Sequence, residues 1–257
     1  MNLAVDIGNT EITFGLYQNK ILLHRWQTDS DRLVSPNNYF KIIYNYLVSK
    51  NISTKSIAGF AISSVVPQLT KTFSQISKDF FQLEPFILTA LTRGIGLKFL
   101  VKEPSFIGSD LIANAISAVS KYPNSCIVCD IGTATTVQLV GSDGTFFGAA
   151  IAPGIRISID ALFSRAAKIR EFELFPPETL LGLNTQDAIA SGSIAGTGIM
   201  LEGFIDRLKK EYELSLGRLT SVLTGGMSNL VKQTTDVFDI VDNNLTLDGL
   251  NIAMTKR

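Results

Sequence analysis

A repeated motif near the start and the middle of this chain constrains its fold most strongly. The N-terminal segment "NLAVDIGNT" has a counterpart in "CIVCDIGTATT", which aligns Asp6 with Asp130 and Gly8 with Gly132 at a constant offset (130 − 6 = 124). In both copies an apolar run ends in Asp-Ile-Gly and is followed by side chains that carry hydroxyl or amide groups. Each copy therefore predicts a buried strand that ends in a polar corner.

The segments after each corner also correspond. "EITFGLYQ" and "KILLHRWQT" predict two strands around a turn at 18–20, and "TTVQLVGSDGTFFGAAI" predicts a hairpin around 142–144. Helical spacing follows in both halves. We therefore predict an α/β fold class with two tandem domains of one type, 1–116 and 117–257, which face each other across a cleft containing both corners.

Composition limits the kinds of partner. The chain carries 23 basic and 23 acidic residues, and no run of Lys and Arg forms a nucleic-acid-binding face. No apolar stretch approaches a membrane span, and Asp6 interrupts the N-terminus before a signal-peptide core could form. These observations predict a soluble cytoplasmic protein with neither nucleic acid nor membrane as a partner.

The sequence offers few histidine or cysteine residues for catalysis or metal binding. His24 is the only histidine of the sequence, so His-based metal sites and catalytic triads are disfavoured and acid–base chemistry falls to carboxylates. Cys126 and Cys129 lie three residues apart in a predicted strand and so point to opposite faces. We interpret both as small core residues without a redox role.

The two corners suit phosphate chemistry. Glycine lets the backbone approach a ligand closely, and turn amides with hydroxyl and amide side chains can donate hydrogen bonds to phosphate oxygens, here from Asn9, Thr10, Thr133 and Thr136. An aspartate at the strand end suits Mg²⁺. One such motif would more often be an ordinary capped turn, but two in equivalent contexts favour a nucleotide-phosphate clamp and phosphoryl transfer.

The chain resembles the type III pantothenate kinases of the acetate/sugar kinase, heat-shock ATPase and actin superfamily. The resemblance covers nearly the whole chain and rests on "VDIGNT" at 5–10, "ISSVVP" at 62–67, "GSD" at 108–110, "DIGTATT" at 130–136, "GAAIAPGIRIS" at 148–158, "NTQDAIASG" at 184–192, "TGG" at 224–226 and "LTLDGL" at 245–250. It implies two ribonuclease-H-like (actin-like ATPase) domains with ATP in the cleft. The implied activity is phosphorylation of pantothenate to 4′-phosphopantothenate, the first step of coenzyme A biosynthesis.

The resemblance also implies a role for individual residues. Nucleotide contacts fall on Asp6, Ile7, Gly8, Asn9, Thr10, Glu11, Ile12, Thr13, Gly132 and Thr133. Asp6 would assist Mg²⁺, and Asp130 would bind an activating monovalent cation, K⁺ or NH₄⁺. Acceptor contacts fall on Val101, Gly108, Ser109, Asp110, Leu111 and Thr185. Asp110 would be the general base, and Thr185 would reach the acceptor of a neighbouring subunit, which implies a homodimer with active sites at the subunit interface.

Three positions depart from the family pattern. Leu111 replaces an arginine and Val101 a tyrosine of the acceptor pocket, and Glu103 replaces an asparagine. Without the resemblance, Asp110 would be read as a carboxylate at a helix N-terminus and Thr185 as an N-cap. A degenerate relative that binds ligand and acts in regulation therefore stays open as an alternative. A metal-dependent nuclease on the same fold is disfavoured, because neither a carboxylate cluster within one half nor a basic surface is evident.

Overall fold

The computed structural model describes residues 1–165 and 174–256 of the chain. Its strands, in chain order, are β1 (Asn2–Ile7), β2 (Glu11–Gln18), β3 (Ile21–Asp29), β4 (Gly59–Ser64), β5 (Phe86–Ile87), β6 (Lys98–Phe99), β7 (Ser125–Ile131), β8 (Ala134–Val140), β9 (Thr145–Pro153), β10 (Leu219–Thr224) and β11 (Ile240–Val241). Its α-helices are α1 (Pro36–Ser49), α2 (Pro67–Phe81), α3 (Ser109–Lys121), α4 (Ile155–Arg165), α5 (Thr185–Ala190), α6 (Gly196–Leu216), α7 (Ser228–Lys232) and α8 (Leu245–Thr255).

The chain divides into two compact units. Unit 1 contains Met1–Leu97, Lys102–Ser117 and the chain from Leu245 onward, and unit 2 contains Lys98–Val101 and Ala118–Asn244. The change of unit within α3 lies one residue beyond the boundary at 116/117 that the sequence suggested. The C-terminal helix α8, which that division assigned to the second half, belongs to unit 1.

The two sheets repeat one topology. Unit 1 has the strand order β3-β2-β1-β4-β5, and unit 2 has β9-β8-β7-β10-β11 with β6 added at the β9 edge. In both, the first three strands are antiparallel and the remaining two pair in parallel. The hairpins predicted around 18–20 and 142–144 are present as β2–β3 and β8–β9, and Asn19 adopts the left-handed conformation expected of a tight turn. The predicted repetition is therefore confirmed.

The core of unit 1 lies between one face of its sheet and two helices. Alternate residues of β1 contribute Leu3, Val5 and Ile7, and α1 and α2 contribute buried side chains that include Tyr39, Ile43, Leu47, Leu69, Phe73 and Ile76. Because side chains alternate across a strand, the other residues of β1, including Asp6, point to the opposite face. Asp6 therefore lies on the face of β1 opposite this core.

Unit 2 is built in the same way around β7. Cys129 lies in its hydrophobic core with Ile127 and Ile131, whereas Cys126 is buried on the other side of the sheet. Both thiols are free, and burial raises the pKa of Cys126 to about 12 and that of Cys129 further. The prediction that both are core residues is confirmed, and a raised pKa disfavours the thiolate, which is the reactive form.

Helix α8 covers the second face of the unit 1 sheet and packs against α3. The Tyr17 hydroxyl donates to Asp248 at 2.7 Å, and Thr246 donates to Asn114 of α3 at 2.7 Å. Gly249 lies directly against the backbone of Ala113, so that a Cβ at this position would overlap the Ala113 carbonyl. This close backbone approach explains why a segment so distant in sequence belongs to unit 1.

We therefore expect Gly249→Ala to destabilise unit 1 by about 1 to 3 kcal/mol, because the added methyl forces α8 away from α3. Chemical denaturation followed by circular dichroism measures the change. Gly203→Ala is the matched control, since Gly203 is an exposed helix glycine of α6 with no atom near its Cβ position. The control should be neutral or slightly stabilising, and equal effects of the two substitutions would contradict the packing argument.

Candidate active site

The first corner is a polar row that crosses four strands of unit 1. Asp6 pairs with Thr13 on β2 and with Ser63 on β4, and Thr13 pairs with Gln27 on β3. Directly paired residues lie on the same face of a sheet, so the four side chains form one line opposite the apolar core. The Asp6 carboxylate consequently lies between two hydroxyl-bearing neighbours near the end of its strand.

The turn after Asp6 is tight and exposes polar groups. Gly8 donates its N–H to the Glu11 carbonyl at 3.0 Å, and a Cβ on Gly8 would approach that oxygen to 3.1 Å. Asn9 and Thr10 are exposed at the tip. Such a turn presents backbone and side-chain donors to an anion.

The remaining residues of this stretch divide between core and surface. Ile7 and Ile12 are buried in the hydrophobic core, so only their backbone groups could reach a ligand. The exposed Glu11 carboxylate accepts from Gln27 at 2.8 Å. Desolvation raises the pKa of Glu11, and Arg25 partly opposes that rise.

The second corner, in unit 2, repeats this arrangement around Asp130. Asp130 pairs with Thr136 on β8 and Thr224 on β10, which again places a carboxylate between two threonine-bearing strands. A Cβ on Gly225, the first glycine of "TGG", would overlap the Asp130 carboxylate and the backbone of Ile131. A glycine is therefore required at 225, where the chain passes directly over Asp130.

A second glycine closes the other side of this corner. The N–H of Gly154 donates to the Thr133 carbonyl at 3.1 Å, and a Cβ there would overlap the carbonyls of Gly132 and Thr133. The Gly132 N–H donates to the Ala134 carbonyl at 3.0 Å. The backbone of the second corner is therefore held between two other segments of unit 2.

Asp110 lies in the first turn of α3, in unit 1. Its Oδ1 accepts a hydrogen bond from the Leu111 N–H at 2.8 Å. Desolvation raises the pKa of Asp110 above the usual range of a carboxyl, and backbone N–H groups offset this only in part. A raised pKa strengthens a carboxylate as a proton acceptor, which makes Asp110 a candidate base.

Gly108 makes room for this carboxylate. A Cβ on Gly108 would overlap Asp110 Oδ1, so the side chain of Asp110 occupies the space that any other residue at 108 would need. The spacing Gly-x-Asp thus has a steric cause. Leu111, the next residue, is buried and can offer only apolar contact to a ligand.

The other predicted acceptor residues, Val101 and Thr185, belong to unit 2. Val101 follows β6, which pairs with β9. Thr185 is the first residue of α5, and Asn184 is the N-cap, with its side chain accepting from the Asp187 N–H at 2.9 Å. The reading of Thr185 as an N-cap was therefore wrong, because the amide oxygen of the preceding asparagine takes that role.

Thr185 lines an open groove of about 960 Å³ in unit 2. Small side chains form much of its wall, and Leu183 at its edge is 93% exposed. The adjoining helical stretch Thr185–Leu216 is, among the described residues, long and apolar enough to cross a membrane by length and composition alone. That is weak evidence, because core helices of soluble proteins meet the same criterion.

Within the described residues, no three His, Cys, Asp or Glu side chains group closely enough to bind a metal ion. A single carboxylate such as Asp6, flanked by hydroxyls, suits Mg²⁺, which keeps several waters and takes substrate phosphates as ligands.

The sequence reasoning assigned no role to several residues that build these corners. They are Ser63, Gly154, Thr224 and Gly225. Ser63 and Thr224 carried a signal, since each is a polar residue at the end of an apolar strand. The glycines carried none, because their role depends on which backbone lies against them.

We expect Gly108→Ala to push the Asp110 carboxyl group out towards solvent and so lower its pKa towards the usual value of about 3.9. Carboxyl ¹³C NMR measures the titration, with the resonance assigned by its loss in Asp110→Asn. Gly203→Ala should leave the titration unchanged. An unaltered Asp110 pKa in Gly108→Ala would show that the glycine does not define the carboxylate's position.

Comparison with known proteins identifies the family. A family model described as type III pantothenate kinase matches residues 2–207. The type III pantothenate kinase of Roseiflexus sp. (strain RS-1) is 38% identical over 98% of this chain and 97% of the relative.

Solved structures share the fold at low sequence identity. A Baf family transcriptional activator from Campylobacter jejuni has a TM-score of 0.58 at 17% identity, covering 99% of this chain and 98% of the other. The ADPNP-bound activator of 2-hydroxyisocaproyl-CoA dehydratase from Clostridium difficile has a TM-score of 0.58 at 10% identity over 98% and 92%. These likenesses confirm the predicted α/β fold class, and the sequence matches show that the chain belongs to the type III pantothenate kinase family.

Proposed function

We propose that this protein transfers the γ-phosphoryl group of ATP to the 4′-hydroxyl of pantothenate, giving 4′-phosphopantothenate and ADP in the first step of coenzyme A biosynthesis. Membership of the type III pantothenate kinase family over nearly the whole chain supports the reaction. The observation that carries the chemistry is Asp110, a partly buried carboxylate with a raised pKa at the start of a helix.

Asp110 acts as the general base. As the acceptor oxygen bonds to the γ-phosphorus and the bond to the β-phosphate oxygen breaks, the hydroxyl proton passes to the Asp110 carboxylate. The transfer requires the ionised carboxylate, so the rate falls as the pH drops through its raised pKa. Phosphoryl transfer asks little covalent chemistry of the protein, and positioning and charge supply most of the acceleration.

The two corners bind the nucleotide and its ions. The turn from Gly8 to Thr10 donates hydrogen bonds to phosphate oxygens, and Asp6 holds Mg²⁺, which neutralises phosphate charge when bound. In unit 2, Gly132 and Thr133 contact the nucleotide, and Asp130 holds the monovalent cation. The backbone hydrogen bonds of each turn support this assignment, since they preorganise the donors.

The acceptor pocket differs from the family pattern at Leu111 and Val101. A buried leucine cannot replace the charge-assisted hydrogen bonds of an arginine, which contribute about 1.5 to 3 kcal/mol. Acceptor binding is therefore weaker than in a protein that keeps the arginine, while nucleotide binding is unaffected. Retention of Asp6, Asp110, Asp130 and Thr185 supports an active kinase over a degenerate relative.

The protein functions as a cytoplasmic homodimer. Thr185 lies on the wall of the open groove in unit 2, and the exposed apolar side chains that line this groove include Leu162 and Leu183. Exposed apolar surface of this kind favours association with a partner. A second copy of the chain covers this face, and Thr185 contributes to the acceptor site of that copy.

The base assignment predicts the effect of Asp110→Asn. The amide keeps the size of the side chain and removes the proton acceptor, so kcat should fall by about 10² to 10⁴. A coupled ADP-release assay with ATP, Mg²⁺ and K⁺, run with and without pantothenate, measures the rate. ADP release that does not depend on pantothenate, or a variant that keeps more than about a tenth of wild-type kcat, would overturn the assignment.

The dimer predicts a sedimenting species of twice the 28.0 kDa chain mass. Leu183→Asp places a charge on the apolar groove face and should shift the protein towards monomer and reduce its kcat with pantothenate. Leu214→Asp is the matched control, because Leu214 is 99% exposed near the end of α6 and does not line the groove. A fully active monomeric wild type would contradict the proposed assembly.

A further inference from the structure

We propose that Ser63 and Ser109 are positioning residues for the base. Their hydrogen bond ties the first residue of α3 to the strand end beside Asp6 and thereby holds the Asp110 carboxylate in line for proton transfer. The inference rests on the proposed function, because it takes Asp110 as the base of that reaction. It assigns a catalytic purpose to the serines of the "ISSVVP" and "GSD" segments.

The contact geometry converges on the Ser109 hydroxyl. Ser63 Oγ donates to Ser109 Oγ at 3.1 Å, and the Ser64 backbone N–H donates to the same oxygen at 2.7 Å. Ser63 is fully buried and Ser109 nearly so. A hydroxyl oxygen has two lone pairs, and both accept from β4. The start of α3 is therefore anchored to the sheet through the acceptor capacity of this one side chain.

The anchor is adjacent to both functional carboxylates in unit 1. Ser63 is the cross-strand partner of Asp6, and Ser109 directly precedes Asp110. The sequence of contacts from Asp6 through Ser63 and Ser109 to Asp110 thus contains one strand pairing, one hydrogen bond and one peptide bond. This short path couples the position of the base to the strand end that carries Asp6, together with the Ser64 N–H bond to the same Ser109 oxygen.

A buried serine often has a simpler role. Ser77 of α2 is also fully buried in unit 1, and its hydroxyl donates to the Leu83 carbonyl at 2.9 Å. That bond satisfies a buried hydroxyl and stabilises a helix end, as most such bonds do. Ser77 is remote in sequence from both carboxylates, and Ser77→Ala removes the same chemical group. Ser77→Ala is therefore the control that distinguishes a loss of folding stability from a loss of Asp110 positioning.

Losing the anchor should reduce turnover and leave nucleotide binding nearly intact. A displacement of about 1 Å at a reacting group can cost on the order of 10² in rate. We expect Ser109→Ala to lower kcat about ten- to a hundredfold, with the KM for ATP changed less than about threefold. Ser63→Ala removes one of the two bonds and should have a smaller effect in the same direction.

The test is a double-mutant cycle on kcat, with Ser63→Ala, Ser109→Ala and the pair. If both serines act through their mutual hydrogen bond, the double variant loses no more than Ser109→Ala alone. Ser109→Thr keeps the hydroxyl and should restore most of kcat. Ser77→Ala should lower the denaturation midpoint without lowering kcat. Should Ser109→Ala fail to fold, Ser63→Cys replaces it, because it keeps the volume and weakens the donor.

A second measurement separates this inference from the proposed function. The Asp110 carboxyl ¹³C resonance should shift in Ser109→Ala and not in Ser77→Ala, whichever acceptor the enzyme uses. If Ser109→Ala shifts the resonance while the wild-type protein does not phosphorylate pantothenate, the positioning role is supported and the proposed function is rejected. Unchanged kcat and an unmoved resonance in Ser109→Ala, with an inactive Asp110→Asn, would overturn the positioning role alone.

Discussion

The alternation of side chains along β1 and β7 is the constraint on which the rest of the structure depends. Alternate residues of each strand, ending with Ile7 and Ile131, enter an apolar core, so Asp6 and Asp130 must point to the opposite face. The antiparallel strand on one side and the parallel strand on the other then bring a hydroxyl-bearing residue beside each carboxylate. The alternation of side chains along one strand therefore places apolar residues in the core of a unit and the aspartate in its polar corner.

Glycines set how closely other segments approach these corners. At 108 and 225 a Cβ would overlap the carboxylates of Asp110 and Asp130, and at 154 it would overlap the turn after β7. In each case the missing side chain leaves room for a functional group or a carbonyl. Gly249 acts at longer range, since its missing side chain lets α8 approach the α3 backbone at Ala113. Glycines without a functional group of their own therefore determine where the functional carboxylates and carbonyls can lie.

Features that depend on local sequence patterns were predictable, and features that depend on contacts between distant segments were not. The hairpins and the buried cysteines were predictable because they depend on local alternation and turn residues, and the repeat of two α/β units was predictable because the same local pattern occurs twice. Asp110 was proposed as a base from the resemblance, and its desolvation supports that role. The place of α8 in unit 1 was not predictable, because it depends on a backbone contact between Gly249 and Ala113, far apart in the chain.

The sequence by itself determined the family, the strand that ends in each corner and the identity of the carboxylates, because those features are local patterns of residue type. Only the tertiary structure decided which groups surround each carboxylate. Strand register pairs Asp6 with Ser63, 57 positions later (63 − 6 = 57), and folding brings the Ser109 hydroxyl to the same strand end. Register and packing arise from contacts between distant segments, and a local pattern does not contain them.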